Sequence, residues 1–263
     1  MNYIDAHSHW SDPRLFARPD FDEILQKAIA KKIDFFLLGG INPLEWDNQF
    51  TLLRKYPLNF GLCLGLHPYF VAEQEPEICE EALDILALKL PQAMALGEAG
   101  LDFRPHIMKD SETFQIEMFQ NQIEMAKAFQ KPMVLHVVQA HEKAQQIFDI
   151  WDAPERGGLV HAFSGSYDTA KKYIKQGFLI SVGGAVTFDK NRKLHDCIRE
   201  IPLEYLLIES DSPDQAPEGW PPDQFNDSSS LYQIAEKIGL IRNLSAFDVL
   251  NVTSSNFKRL FRL

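Results

Sequence analysis

Residues 2–9 read Asn2-Tyr3-Ile4-Asp5-Ala6-His7-Ser8-His9. The β-favouring Tyr3 and Ile4 begin a strand and the polar run after them ends it. Alternate side chains of a strand share a face, so Asp5, His7 and His9 are expected to project together. Two imidazoles beside a carboxylate are a costly filling for a protein interior. They suit a divalent ion, because neutral imidazole is the commonest side-chain ligand of zinc and related metals.

The same pattern, an apolar β run closed by a glycine or a polar residue, recurs along the chain. It is found at 33–38 before Gly39-Gly40, at 59–65 before Leu66-His67-Pro68, and at 93–98 ending on Glu98. It returns at 133–137 around His136, at 159–163 around His161, at 178–182 before Gly183-Gly184, and at 205–209 just ahead of Asp211. Helical signals lie between. Asp20 with Glu23 predicts a capped helix start, and Pro43 suits a first turn. Helices are also expected at 77–90, 140–150, 166–176 and 190–199. The clearest spans 111–129, with Ile116, Phe119, Ile123 and Ala126 at helical spacing. Residues 212–227 read as a long loop, and helices at 228–239 and 245–261 end the chain. Eight continuous apolar strands alternating with amphipathic helices predict an α/β fold, a TIM (β/α)8 barrel, with residues 1–263 as a single domain.

Composition sets the outer limits. Of 263 residues, 45% are hydrophobic and 24% charged, ample for one large core. The net charge of −11 argues against a broad basic face for nucleic acid, although bound metal can supply local positive charge. No apolar run approaches the ~20 residues of a membrane span, and no signal peptide is evident. Cys63, Cys79 and Cys197 lack Cys-x-x-Cys spacing and read as reduced thiols of a cytoplasmic protein. No membrane contact and no obligate protein partner are indicated.

In this fold the C-terminal strand ends surround one mouth, where active sites sit. His9, His67, Glu98, His136, His161 and Asp211 all fall at or near such ends. Taken singly, His136 or His161 reads as a satisfied core histidine. Converging on one rim, four histidines and two carboxylates call for two divalent cations. His7 and His9 would hold one ion, His136 and His161 the other. Glu98 would bridge them, and Asp211 would bind metal and take a proton from water. Two such ions ~3.5–4 Å apart can share a hydroxide, which predicts metal-assisted hydrolysis, most naturally of a phosphodiester. Zinc, manganese and nickel suit this mixed donor set, and enzymes that cleave phosphodiesters can work with magnesium.

Five segments carry a family resemblance: Asp5-Ala6-His7-Ser8-His9, Gly65-Leu66-His67-Pro68, Gly97-Glu98-Ala99-Gly100-Leu101-Asp102, His161-Ala162-Phe163-Ser164-Gly165-Ser166 and Glu209-Ser210-Asp211-Ser212-Pro213. In this order they resemble the signature segments of the TatD-related metal-dependent DNases, among the amidohydrolase-like metal-dependent hydrolases. The resemblance implies a TIM barrel with one or two divalent metals and a nuclease activity, often exonucleolytic, on DNA, as single strands or strand ends. It implies the same ligands: His7, His9, Glu98, His136, His161 and Asp211. Two departures stand out. The family's Ser-Arg-Asp-Ala type run after its histidine is here Val137-Val138-Gln139-Ala140, and its later Arg-Asn-Glu-Pro type run is here Phe225-Asn226-Asp227-Ser228. Arginine is the natural bidentate partner of phosphate. Its loss opens an alternative in which the same site hydrolyses a small ester, lactone or amide.

Among the remaining polar residues, His67 reads as a substrate contact. Glu209 reads as a catalytic-site carboxylate that orients a ligand or water, and Asp5 and Asp102 could do likewise. Arg104, Lys109 and Arg192 could replace the missing phosphate contacts but read rather as solvated surface charges, and Trp220 with Pro217, Pro221 and Pro222 reads equally as a rim over the mouth or as simple loop packing.

Overall fold

The computed structural model describes residues 2–263. Among the described residues, nine parallel strand segments follow one another around the structure. They are β1 (Tyr3–Ser8), β2 (Ile33–Leu38), β3 (Phe60–Gly61), β4 (Cys63–Leu64), β5 (Ala95–Asp102), β6 (Met133–Val138), β7 (Gly158–Val160), β8 (Phe178–Val182) and β9 (Leu206–Ile208). β3 and β4 are halves of one strand interrupted at Leu62, whose carbonyl still accepts from Met94 N at 2.8 Å. Past β9 the chain comes back to β1: Asp211 N donates to His7 O at 3.1 Å and His9 N to Ser212 O at 2.7 Å. These two bonds join the end of the strand sequence to its beginning.

Two apolar layers follow from strand alternation. Ile4, Ala6, Leu37, Cys63, Ala95, Val134, Leu159, Leu179 and Leu207 form an inner cluster with Phe257 and Phe261. Their neighbours on the opposite face, such as Phe36, Leu38, Leu96, Leu135 and Ile208, belong to the larger core under the helices.

Some of the long helices begin at a side-chain cap. α2 spans Phe21–Ala30. Asn42 accepts from Leu44 N and Glu45 N to start α3 (Pro43–Lys55). α5 (Pro76–Lys89) and α7 (Glu112–Ala128) follow, then α8 (His141–Trp151), α9 (Tyr167–Lys175), capped by Ser166, and α10 (Arg192–Glu200). α11 (Leu231–Arg242) stops at left-handed Asn243, and Ser245 with Asp248 forms a capping box at α12 (Ala246–Phe261).

Some local readings are corrected. Asp20 makes no side-chain cap; its carboxylate is bound instead by Arg18. β5 runs on past Glu98 to Asp102, because Gly100 to Asp102 stay paired with His136 to Val138. Three short helices, α1 (Pro13–Phe16), α4 (Pro68–Glu73) and α6 (Pro105–Met108), each begin at a proline a few residues beyond a strand end. They are too short for a periodic signal and build part of the mouth.

The shared face of Asp5, His7 and His9 is also corrected. Asp5 pairs with Phe36 and Ser8 with Leu38, so three steps along β1 match two along β2. The extra residue is a bulge and breaks strict alternation. Asp5 is taken up by Ser210 N at 2.8 Å, Ser210 Oγ at 2.6 Å and Ser228 Oγ at 2.6 Å, away from the imidazoles.

Candidate metal centre

Five strands deliver the polar cluster. β1 and the residue after it supply His7 and His9, β5 supplies Glu98, and β6 supplies His136. His161 follows β7 directly, and Asp211 lies three residues beyond β9. Glu98, like His7, sits in a bulge, between Leu96 paired to Met133 and Ala99 paired to Leu135. All six are buried or nearly so.

Glu98 lies between two groups of imidazoles. Its Oε1 is 3.3 Å from His7 Nε2 and 3.4 Å from His9 Nε2. Its Oε2 is 2.9 Å from His161 Nε2, 3.7 Å from His136 Nδ1 and 3.9 Å from His67 Nε2. Asp211 Oδ1 completes the first group, 3.5 Å from His7 Nε2 and 3.2 Å from His9 Nε2. Donor atoms of His7, His9 and Asp211 fall within 4.8 Å of one another, as do those of His7, Glu98 and His161, and of His67, Glu98 and His136.

The cluster is left unsatisfied by the protein itself. Among the described residues, both ring nitrogens of His7, His9 Nδ1, His161 Nδ1, Glu98 Oε1 and Asp211 Oδ1 are buried without a hydrogen-bond partner. Buried polar atoms are normally paired; of these six, His7 Nε2, Glu98 Oε1 and Asp211 Oδ1 converge on one another, and they fit a group that takes lone pairs. Nitrogen and carboxylate donors converging this way could hold divalent cations.

Electrostatics agree. Burial alone would raise the Glu98 carboxyl, but His7, His161 and His9 outweigh it and hold it well below the usual range. Burial likewise opposes ionised Asp211, yet His9 Nε2 at 3.2 Å and the charges of His161 and His7 keep its carboxyl low. Burial would depress His9, but Glu98 and Asp211 lift it to about 9. His161 is held well above its ordinary value by Glu98, Glu209 and Asp211 against the same burial. His67, desolvated and close to His136, is pushed well below.

The supporting residues divide clearly. Glu209 lies behind His161, 3.6 Å from Nδ1, and accepts from Ala162 N and Ser181 Oγ at 2.5 Å each. His67 turns Nδ1 to Tyr69 N at 3.0 Å, capping α4, while Nε2 faces Glu98. Asp102 Oδ2 lies 3.1 Å from His136 Nε2. Arg104 is no solvated charge: its guanidinium grips Asp102 and stacks on Tyr69. Trp220 donates to Phe225 O within its own loop.

Several contributors lie outside the residues expected from the sequence. Gln215 donates to Asp211 Oδ2 at 2.5 Å and leaves Oδ1 facing the histidines. Arg14 bridges Asp12 and Asp214 at the mouth. Three buried glutamines on helix faces pin strand ends. Gln49 bonds Gly39 O and Cys63 N, Gln115 bonds Asp102 N and O, and Gln122 bonds Leu66 N and O. Gln115 and Gln122 stand seven residues apart on the apolar face of α7, a pattern that could have flagged them.

A family model described as TatD related DNase matches residues 4–262. The uncharacterized metal-dependent hydrolase YabD of Bacillus subtilis is 29% identical over 260 residues, covering 99% of each chain. The 3'-5' ssDNA/RNA exonuclease TatD of Salmonella typhimurium is 30% identical over 248 residues, 93% of this chain and 94% of the relative. Among solved structures, the TatD homologue YjjV from Escherichia coli superposes with a TM-score of 0.87 at 27% identity, covering 99% of this chain and 98% of the other. A TatD family hydrolase from Entamoeba histolytica shares the fold, with a TM-score of 0.82 at 19% identity, covering 99% of this chain and 98% of the other.

Proposed function

As the chain belongs to the TatD-related DNase family, whose relatives include metal-dependent hydrolases, we propose that it hydrolyses DNA phosphodiester bonds with two divalent ions, working from a strand end. The observation that carries this reading is the division of Glu98, one oxygen toward His7 and His9, the other toward His161 and His136. A carboxylate so placed is suited to bridging two ions. His7, His9 and Asp211 would hold one and His136 and His161 the other, with zinc, manganese, nickel or magnesium as candidates. When bound, such ions supply Lewis acidity toward water and a phosphoryl oxygen.

The side chains do the rest. Asp211 Oδ1 is the acceptor for a proton from the attacking water, and Gln215 fixes its other oxygen. Glu209 places its negative charge behind the His161 ring, 3.6 Å from Nδ1. His67 presents Nε2 to the substrate side of Glu98. Burial of the whole cluster strengthens these interactions relative to water.

A second reading keeps the ions and changes the substrate to a small ester, lactone or amide. It draws on one observation: Arg14 and Arg104, the arginines at the mouth, are already engaged by Asp12, Asp214 and Asp102. The deciding experiment incubates the protein with end-labelled single-stranded DNA and with an ester and lactone panel across Mg²⁺, Mn²⁺, Zn²⁺ and Ni²⁺. Stepwise shortening of DNA that chelation abolishes is expected. Ester or lactone turnover without DNA cleavage would move the assignment to the second reading. A cytoplasmic location is part of the proposal, in keeping with three unpaired, buried cysteines. No helix among the described residues is long and apolar enough to cross a membrane.

A further inference from the structure

We propose that Asp102 and Arg104 are positioning residues that set the tautomer of His136 and thereby make its Nδ1 a metal donor. The inference rests on the metal-site reading above.

Asp102 is fully buried, and its two oxygens have different tasks. Oδ1 accepts from the Arg104 backbone N–H and from Nε, each at 3.0 Å. Oδ2 accepts from Arg104 Nη2 at 2.6 Å and from Nε at 3.1 Å, and lies 3.1 Å from His136 Nε2. Gln115 pins the Asp102 backbone from both sides, and Arg104 lies over the Tyr69 ring at 5.1 Å, so neither end of the pair is loose. A carboxylate gripped by arginine only accepts, so His136 must donate Nε2–H to it. The neutral ring then carries its lone pair on Nδ1. That atom lies 2.9 Å from His161 Nε2 and 3.7 Å from Glu98 Oε2.

Asp102→Asn tests this at the atomic level. The Asn oxygen is held at the Oδ1 position by the Arg104 backbone N–H, which cannot swing away, while the partly exposed Arg104 guanidinium turns from the NH2 that replaces Oδ2. Its NH2 then falls beside His136 Nε2 and donates to it. The ring proton must move to Nδ1, the atom needed by the metal.

The chain contains eight histidines, few enough for long-range ¹⁵N–¹H correlation of metal-free protein labelled at histidine, with His136 assigned through His136→Gln. The expected result is an Nε2–H tautomer for His136, turning to Nδ1–H in Asp102→Asn, with zinc affinity of that variant about 10–100-fold weaker by chelator competition. Arg104→Met removes the clamp at a third-exposed position and should weaken zinc by a smaller factor while keeping Nε2–H. It decides the matter if Asp102→Asn does not fold. An Nδ1–H ring in the unaltered protein would overturn the proposal. So would native zinc affinity in both variants. If His136 is Nε2–H yet the unaltered protein takes up no zinc, manganese or nickel, the positioning stands and the metal reading fails.

Discussion

Gly39 lies hard against the ring of His9. A Cβ built on Gly39 would come 2.4 Å from His9 Cε1 and 2.7 Å from Nδ1, and 2.8 Å from Glu98 Oε1. The glycine just after β2 therefore clears space for two residues of the candidate metal site. Its backbone is not left-handed, so alanine is excluded by contact alone. Gly39→Ala is expected to push His9 off its position and weaken metal binding by about tenfold or more, equivalent to ~1.4 kcal/mol. Overpacking should also cost about 1–3 kcal/mol of stability. Calorimetric metal titration beside a thermal melt would check both, and unchanged metal affinity would refute the steric argument.

Metal uptake should be strongly pH-dependent. His9 is held up to about 9 and His161 well above its ordinary value, chiefly by Glu98 once burial is overcome. Both rings therefore carry protons at neutral pH in the metal-free protein, and both must lose them to bind an ion. Affinity is expected to rise with pH toward about 9, with about two protons released per protein at pH 7. Calorimetry in buffers of differing ionisation enthalpy counts those protons. A flat affinity between pH 6 and 9 would contradict the charge assignment.

A separate pH effect belongs to Asp5. Burial raises its carboxyl from 3.8 to about 7, although bonds from Ser210 and Ser228 oppose the rise. Between those values the native protein holds a proton that the unfolded chain has lost. Stability contributed by this group is thus full below about 3.8 and is lost as pH rises through about 7. Glu45, raised by burial to about 7, acts in the same direction. A tenfold difference in proton affinity between the folded and unfolded chain is worth about 1.4 kcal/mol. Asp5→Asn should flatten the decline between pH 4 and 7 by up to a few kcal/mol, as read from denaturant melts at each pH. A variant that follows the same pH course as the unaltered protein would exclude Asp5 as its source.

The glutamine pins make a structural prediction. Gln122 accepts from Leu66 N at 2.8 Å and donates to Leu66 O at 3.1 Å, just ahead of His67. Gln122→Leu keeps the volume and strands both backbone groups, at about 1–3 kcal/mol for each group left unpaired. A lower melting temperature is expected, together with weakened binding of substrate at the His67 side. A melt matching the unaltered protein would mean that water replaces the amide fully.

The barrel and most members of the candidate cluster could be read along the chain for one physical reason. Strands buried on both faces must be continuously apolar, so a histidine or carboxylate at a strand end shows against that background. His136 after Met-Val-Leu and His161 after Gly-Leu-Val stood out in this way, and the structure brings both to Glu98. Alternation alone could not say which side chains share a face. An inserted residue in β1 sends Asp5 to Ser210 and Ser228, while His7 turns to Glu98. Nor could local pattern identify Arg104 on Asp102, Gln215 on Asp211 or Gln122 on Leu66. Each is a single hydrogen-bonding side chain whose partner depends on the packed arrangement. The order of strands and helices, and the chemistry offered at the strand ends, follow from the residues alone, because periodicity and side-chain type are local properties. Which oxygen of Glu98 meets which imidazole, and which nitrogen of His136 is free, emerge only on folding, because they depend on bulges and on contacts between residues distant along the chain.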